Sequence, residues 1–67
     1  MIRVEIYYDT QQNFMPRDRE VRNLQDWCLE EAEEYIEGRR SLLGFKRAFI
    51  YLVDGKDRIQ LQKYLPL

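Results

Sequence analysis

The 67-residue sequence has eleven lysine and arginine residues against twelve aspartate and glutamate, a net charge of −1, no histidine and one cysteine, Cys28. One domain at most fits in this length, an internal disulfide is excluded, and so little surface can be buried that a partner or a second copy would help stabilise the chain. With only Ser41, Thr10 and Cys28 as candidate nucleophiles and no histidine to activate them, enzyme chemistry is not expected.

No apolar run approaches the ~20 residues that a bilayer-spanning helix needs, so no membrane partner is expected. The opening MIRVEIYYD is interrupted by Arg3, Glu5 and Asp9. It does not read as a signal peptide, and a reducing, cytoplasmic setting is expected. The charges are unevenly divided. Through Glu37 there are ten acidic and four basic residues; beyond it there are seven basic and two acidic. The two parts of the chain can therefore have different partners.

Residues Ile2 to Tyr8 set Ile2, Val4, Ile6 and Tyr8 against Arg3, Glu5 and Tyr7, the period of a half-buried strand. Asp9 to Arg17 has no periodicity and reads as a loop, with Phe14 and Met15 expected to fold over the open end of the core. A helix is predicted to begin between Pro16 and Asp18, which suit the first turn and the N-cap, and to end at Gly38 in a left-handed cap. At 100° per residue, Val21, Leu24, Cys28, Leu29, Ala32, Tyr35 and Ile36 form its buried stripe. This makes Cys28 a small core residue. Asp26, Glu30, Glu33, Glu34 and Glu37 collect opposite, and Trp27 lies on the flank.

Leu42 and Leu43 are expected to plug the core beyond the helix. Phe45 to Val53 is the most apolar run of the chain, and it alternates between Ala48, Ile50, Leu52 and Phe45, Arg47, Phe49, Tyr51, Val53. Asp54-Gly55 marks a tight turn, Arg58 to Tyr64 returns as a strand with Ile59 and Leu61 facing the core, and Pro66 stops it. The expected fold is α+β: one βαββ domain over residues 1–67, with one helix on a three-stranded antiparallel sheet. Its strand order is first, third, second, a split βαβ arrangement.

On this reading the sheet face away from the helix presents Arg3, Glu5, Tyr7, Arg47, Phe49, Tyr51, Arg58, Gln60, Gln62 and Tyr64. Tyrosine, arginine and phenylalanine are the residues that concentrate binding energy at protein interfaces. The expectation is a non-enzymatic protein-binding module, a small regulatory or inhibitory protein that occupies the surface of another protein or of a second copy. A second candidate surface is the acidic helix side, where Trp27 lies beside Glu20, Glu31 and Glu34. The alternative is a single-stranded RNA or DNA binder using the same sheet face, with rings to stack bases and cations for phosphates. Arg47 to Tyr51, RAFIY, resembles the aromatic strand of RNA-recognition domains over those residues alone, without that strand's glycine and without the second helix of that fold. Gly38, Gly44 and Gly55 are isolated and form no phosphate loop, and Glu30, Glu33, Glu34 and Glu37 suit a solvated helix face, so no cofactor or metal is expected.

Overall fold

The computed structural model describes residues 1–9, 18–25 and 28–67. In chain order the elements are β1 (Ile2–Tyr8), β2 (Arg19–Leu24), α1 (Leu29–Arg40), β3 (Phe45–Asp54) and β4 (Asp57–Tyr64). The fold is α+β, with one helix on a four-stranded antiparallel sheet of order β2-β1-β3-β4.

Alternation on β1 and over Ala48 to Leu52 of β3 builds most of the core, and Phe45, expected on the outer side with Arg47, joins it because the register shifts between Tyr7 and Tyr8. Ile2, Val4, Ile6 and Tyr8 from β1, with Phe45, Ala48 and Ile50 from β3, are buried beneath Ala32 and Ile36 of α1. Leu24, Tyr35, Leu52 and Tyr64 pack around the margin. Because β1 lies between two partners, even its polar Glu5 is buried.

Residues Arg19–Leu24, expected in the helix, form a strand against β1. Val21, Leu24 and Cys28 have helical spacing, and Val21 and Leu24 fall on opposite faces of the strand, so no local alternation marks it; pairing with the otherwise open edge of β1 prevails. The helix accordingly starts at Leu29. Cys28 is its N-cap, half-buried and not in a disulfide, and not the core residue expected. The helix runs past Gly38 to Arg40, with Ser41 as C-cap in a right-handed conformation. Its last turn is held by Arg39, which bonds Glu20, and by Arg40, which bonds the Leu65 carbonyl. The left-handed glycine lies further on: Gly44, at φ 93°, turns the chain into β3 and accepts the Asp9 N–H at 2.7 Å.

The strand order also differs from expectation. Ile2–Tyr8 lies directly beside Phe45–Asp54 and antiparallel to it, instead of being separated from it by Asp57–Tyr64. With β2 present, the split crossover becomes β2-α1-β3 with β1 between, and β4 is left on the outer edge. Gly55 at φ 61° begins a two-residue turn, the glycine-first hairpin geometry. Pairing then places Ile59 beside Leu52, until a bulge opposite Ile50 and Tyr51 changes the register. Beyond it Ile50 pairs with Gln62 and Ala48 with Tyr64, so Gln62 and Tyr64 face the helix and Lys63, opposite Phe49, faces away. α1 packs chiefly over β1 and β3, leaving Ile59 59% exposed and Leu61 42% exposed where both were expected in the core. Leu42 and Leu43, expected to plug the core, are also exposed. Phe14, Met15, the predicted helix start at Pro16, and Trp27 lie outside the described residues.

Candidate binding face of the sheet

Antiparallel registers set the outward side chains in rows across the strands. One row is Arg19, Tyr7, Arg47; the next is Val21, Glu5, Phe49, Lys63; the third is Asn23, Arg3, Tyr51, Gln60. Val53 and Arg58 begin a fourth. Six sequence-predicted residues, Arg3, Tyr7, Arg47, Phe49, Tyr51 and Arg58, therefore share one face, while Tyr64 is on the other.

Glu5 lies near the middle of this face and is only 1% exposed. No described element covers it; its own neighbours do. Oε1 accepts from the Tyr7 hydroxyl at 2.7 Å and from Arg19 Nη2 at 3.3 Å, and Oε2 accepts from Arg3 Nε at 2.9 Å and Arg58 Nη1 at 3.2 Å. Arg58 reaches it from β4, its guanidinium passing 4.5 Å from the centre of the Tyr51 ring. Burial alone would raise the Glu5 pKa, but the Tyr7 hydrogen bond and the charges of Arg19, Arg3 and Arg58 outweigh it and hold the carboxyl below its ordinary value. The same hydrogen bond pushes the Tyr7 phenol up.

The rings form a packed row. Tyr7 meets Phe49 edge-on at 5.9 Å, and Phe49 stacks on Tyr51 at 5.8 Å. Cations lie over them: Arg19 and Arg47 at 5.8 and 5.5 Å from the Tyr7 centroid, and Lys63 at 6.0 Å from that of Phe49. Five cationic side chains (Arg3, Arg19, Arg47, Arg58 and Lys63) thus surround one carboxylate whose charge is already compensated, and the face as a whole is positive. Guanidinium groups docked on rings and on a fixed acceptor have lost part of their rotamer freedom before any partner arrives.

On the helix side a second carboxylate, Glu20 of β2, takes donors from three directions. The Tyr8 hydroxyl donates at 2.8 Å and Arg39 Nε at 3.1 Å, and the Tyr35 hydroxyl bonds the other oxygen. Burial pushes its pKa up, but the two tyrosines and Arg39 prevail and hold it low, while Tyr8 and Tyr35 are both pushed up, first by burial and then by the Glu20 hydrogen bond. Glu31 and Glu34 line a shallow groove of about 350 Å³ with Arg22, Leu24 and Tyr35. Among the described residues no group of three or more acidic or thiol side chains is gathered as a metal site, and no helix is long and apolar enough to cross a membrane.

Sequence reasoning missed Arg19 and Lys63, and it placed Glu20 on the acidic helix side instead of beneath Tyr8 and Tyr35. No local alternation marks Arg19 to Leu24 as a strand, and nothing local marked the bulge that turns Lys63 outward. No protein-family model matches the chain, and no curated protein or solved structure is detectably similar to it.

Proposed function

We propose that this chain is a non-catalytic protein-binding module, a small regulatory or inhibitory protein whose uncovered sheet face docks on an acidic surface of a partner. The observation that carries the reading is Glu5. A carboxylate almost completely buried on a face that no described element covers is there to fix the groups around it, and those groups are arginines and a tyrosine. Arginine and tyrosine anchors that are already held in place are what interface energetics favour.

Ring geometry favours a protein over single-stranded nucleic acid. Stacked bases need free ring faces, whereas Tyr7, Phe49 and Tyr51 lie against one another and beneath cations. Carboxylates of a partner need only the outward edges of the guanidinium groups.

Arg47 and Lys63 take no part in the Glu5 cluster, so reversing them with Arg47→Glu and Lys63→Glu changes the face and spares its framework. Affinity capture from the source cell's lysate with the wild-type chain should retain a protein that this variant loses. A labelled single-stranded oligonucleotide titrated at two salt concentrations is the opposing experiment. Affinity that falls steeply with salt and disappears in Phe49→Ala, Tyr51→Ala would overturn the protein reading in favour of nucleic acid.

A further inference from the structure

We infer that the acidic surface this sheet face fits is present on the chain itself: the solvent side of α1 in a second copy, docked head to tail. The inference rests on the preceding reading of the sheet face and commits it to one occupant.

Charge complementarity carries it. Ala32 and Ile36 point α1 at the sheet, and 100° steps put Glu30, Glu34 and Glu37 on the opposite side, away from the core. Among the described residues Glu30 and Glu34 pair with no cation, while Glu37 is shared with Arg40. Sheet and helix lie back to back. The positive face and the negative stripe therefore point in opposite directions from one molecule, and neither can neutralise the other within it.

Spacing agrees as well. Glu30 to Glu37 covers about 10 Å of helix axis at 1.5 Å per residue. On the sheet, Lys63 and Arg58 stand two rows apart, about 13 Å along the strand. Lysine, arginine and glutamate side chains are long enough to span the difference. Beside those cations, on the adjacent β3, stand Phe49 and Tyr51, so a helix laid along the strands would cover the rings as its carboxylates met Lys63, Arg58 and Arg47.

Such a contact joins two different surfaces, so it is heterologous: it leaves one unused face at each end and extends to a ring or a filament. This geometry is what separates it from pairing of the outer edges of β4, which would be two-fold and would stop at a dimer.

Sedimentation velocity of the full chain over a concentration series tests it. At low salt the weight-average sedimentation coefficient should rise with concentration, and it should return to the monomer value at high salt, where the contact is screened. Two variants then break opposite faces: Arg47→Glu with Lys63→Glu on the sheet, and Glu30→Lys with Glu34→Lys on the helix. Each should be monomeric alone. Mixed, the intact helix of the first meets the intact sheet face of the second, and the two reversed faces are again opposite in charge, so association should return in the mixture alone. If circular dichroism shows either variant unfolded, glutamine at the same positions replaces the reversal and should weaken self-association several-fold. A wild-type chain that stays monomeric at low salt, or a variant that still associates by itself, overturns the inference. Capture of a foreign acidic protein that depends on Arg47 and Lys63, by a wild-type chain that stays monomeric, overturns only this inference and leaves the preceding reading standing.

Discussion

Glu5 and Glu20 occupy neighbouring strands on opposite faces of one sheet, and each is a glutamate held by tyrosine and arginine donors. What differs is what lies above them. Glu20 joins β2 to Tyr8 of β1 and to Tyr35 and Arg39 of α1, so its hydrogen bonds close the seam between helix and sheet. Glu5 joins Arg3 and Tyr7 of its own strand to Arg19 of β2 and Arg58 of β4 on the side that no described element covers. One chemistry serves two ends: Glu20 assembles the fold, and Glu5 orders a surface that the fold does not use.

The largest effect should follow loss of Glu20. In Glu20→Ala the hydroxyl of Tyr8, a residue only 5% exposed, loses its acceptor, and Tyr35 and Arg39 lose theirs with it. Buried donors left unsatisfied cost about 1–3 kcal/mol each, so a destabilisation of about 2–4 kcal/mol is expected in urea unfolding, at an unchanged m value. Glu5→Ala should cost about 1–2 kcal/mol, because Arg19 and Arg58, with side chains 46% and 52% exposed, can turn to water once their acceptor is gone. Equal losses at the two positions would erase the distinction between seam and surface.

Much of this arrangement was legible before any coordinates. The alternation of Ile2 to Tyr8 and of Arg47 to Val53 placed Arg3, Tyr7, Arg47, Phe49 and Tyr51 on one face, and Asp54-Gly55 marked the hairpin, while Phe45 went to the core against that alternation. The place of Glu20 was not legible, because Val21 and Leu24 have helical spacing and opposite strand parity, and only an available edge on β1 overrides that pattern. Lys63 and Tyr64 exchanged faces through one extra residue in β4, and a bulge is settled by pairing partners far along the chain. Local pattern therefore recovered the strands at the centre of the sheet and the course of β4, and failed at β2 and at the end of β4 beyond its bulge, both on the edges of the sheet.

Acid should act on both carboxylates with the same sign and more gently than deletion. Each folded-state pKa is held below the ordinary 4.5, so the unfolded chain takes up protons first as pH falls. The stability each contributes is complete above that value and drains away as pH descends through it toward the folded pKa. Protonation removes the charge but leaves an acceptor oxygen, so the loss should be smaller than for either alanine variant. Unfolding free energies measured from about pH 6 to pH 3 should decline below the ordinary glutamate value, and Glu5→Gln and Glu20→Gln should each flatten part of that decline. An unchanged slope in both would mean that neither cluster acts as an ion pair.

The smallest effects belong to single arginines, and they sharpen the comparison most. Arg58 is one of three guanidinium groups on Glu5; removing it by Arg58→Gln leaves Arg3, Arg19 and Tyr7 in place. A half-exposed member of a redundant set should cost less than about 0.5 kcal/mol. Arg39 is the only arginine on Glu20 among the described residues, and its guanidinium also lies 3.7 Å from the centre of the Tyr35 ring. Arg39→Gln removes both contacts at once and should cost about 1 kcal/mol. The double-mutant cycles Glu20/Arg39 and Glu5/Arg58 separate these pair energies from the cost of truncation. A coupling energy larger for Glu5/Arg58 than for Glu20/Arg39 would make Arg58 a support of the fold, and it would then be too firmly held to be offered to a partner.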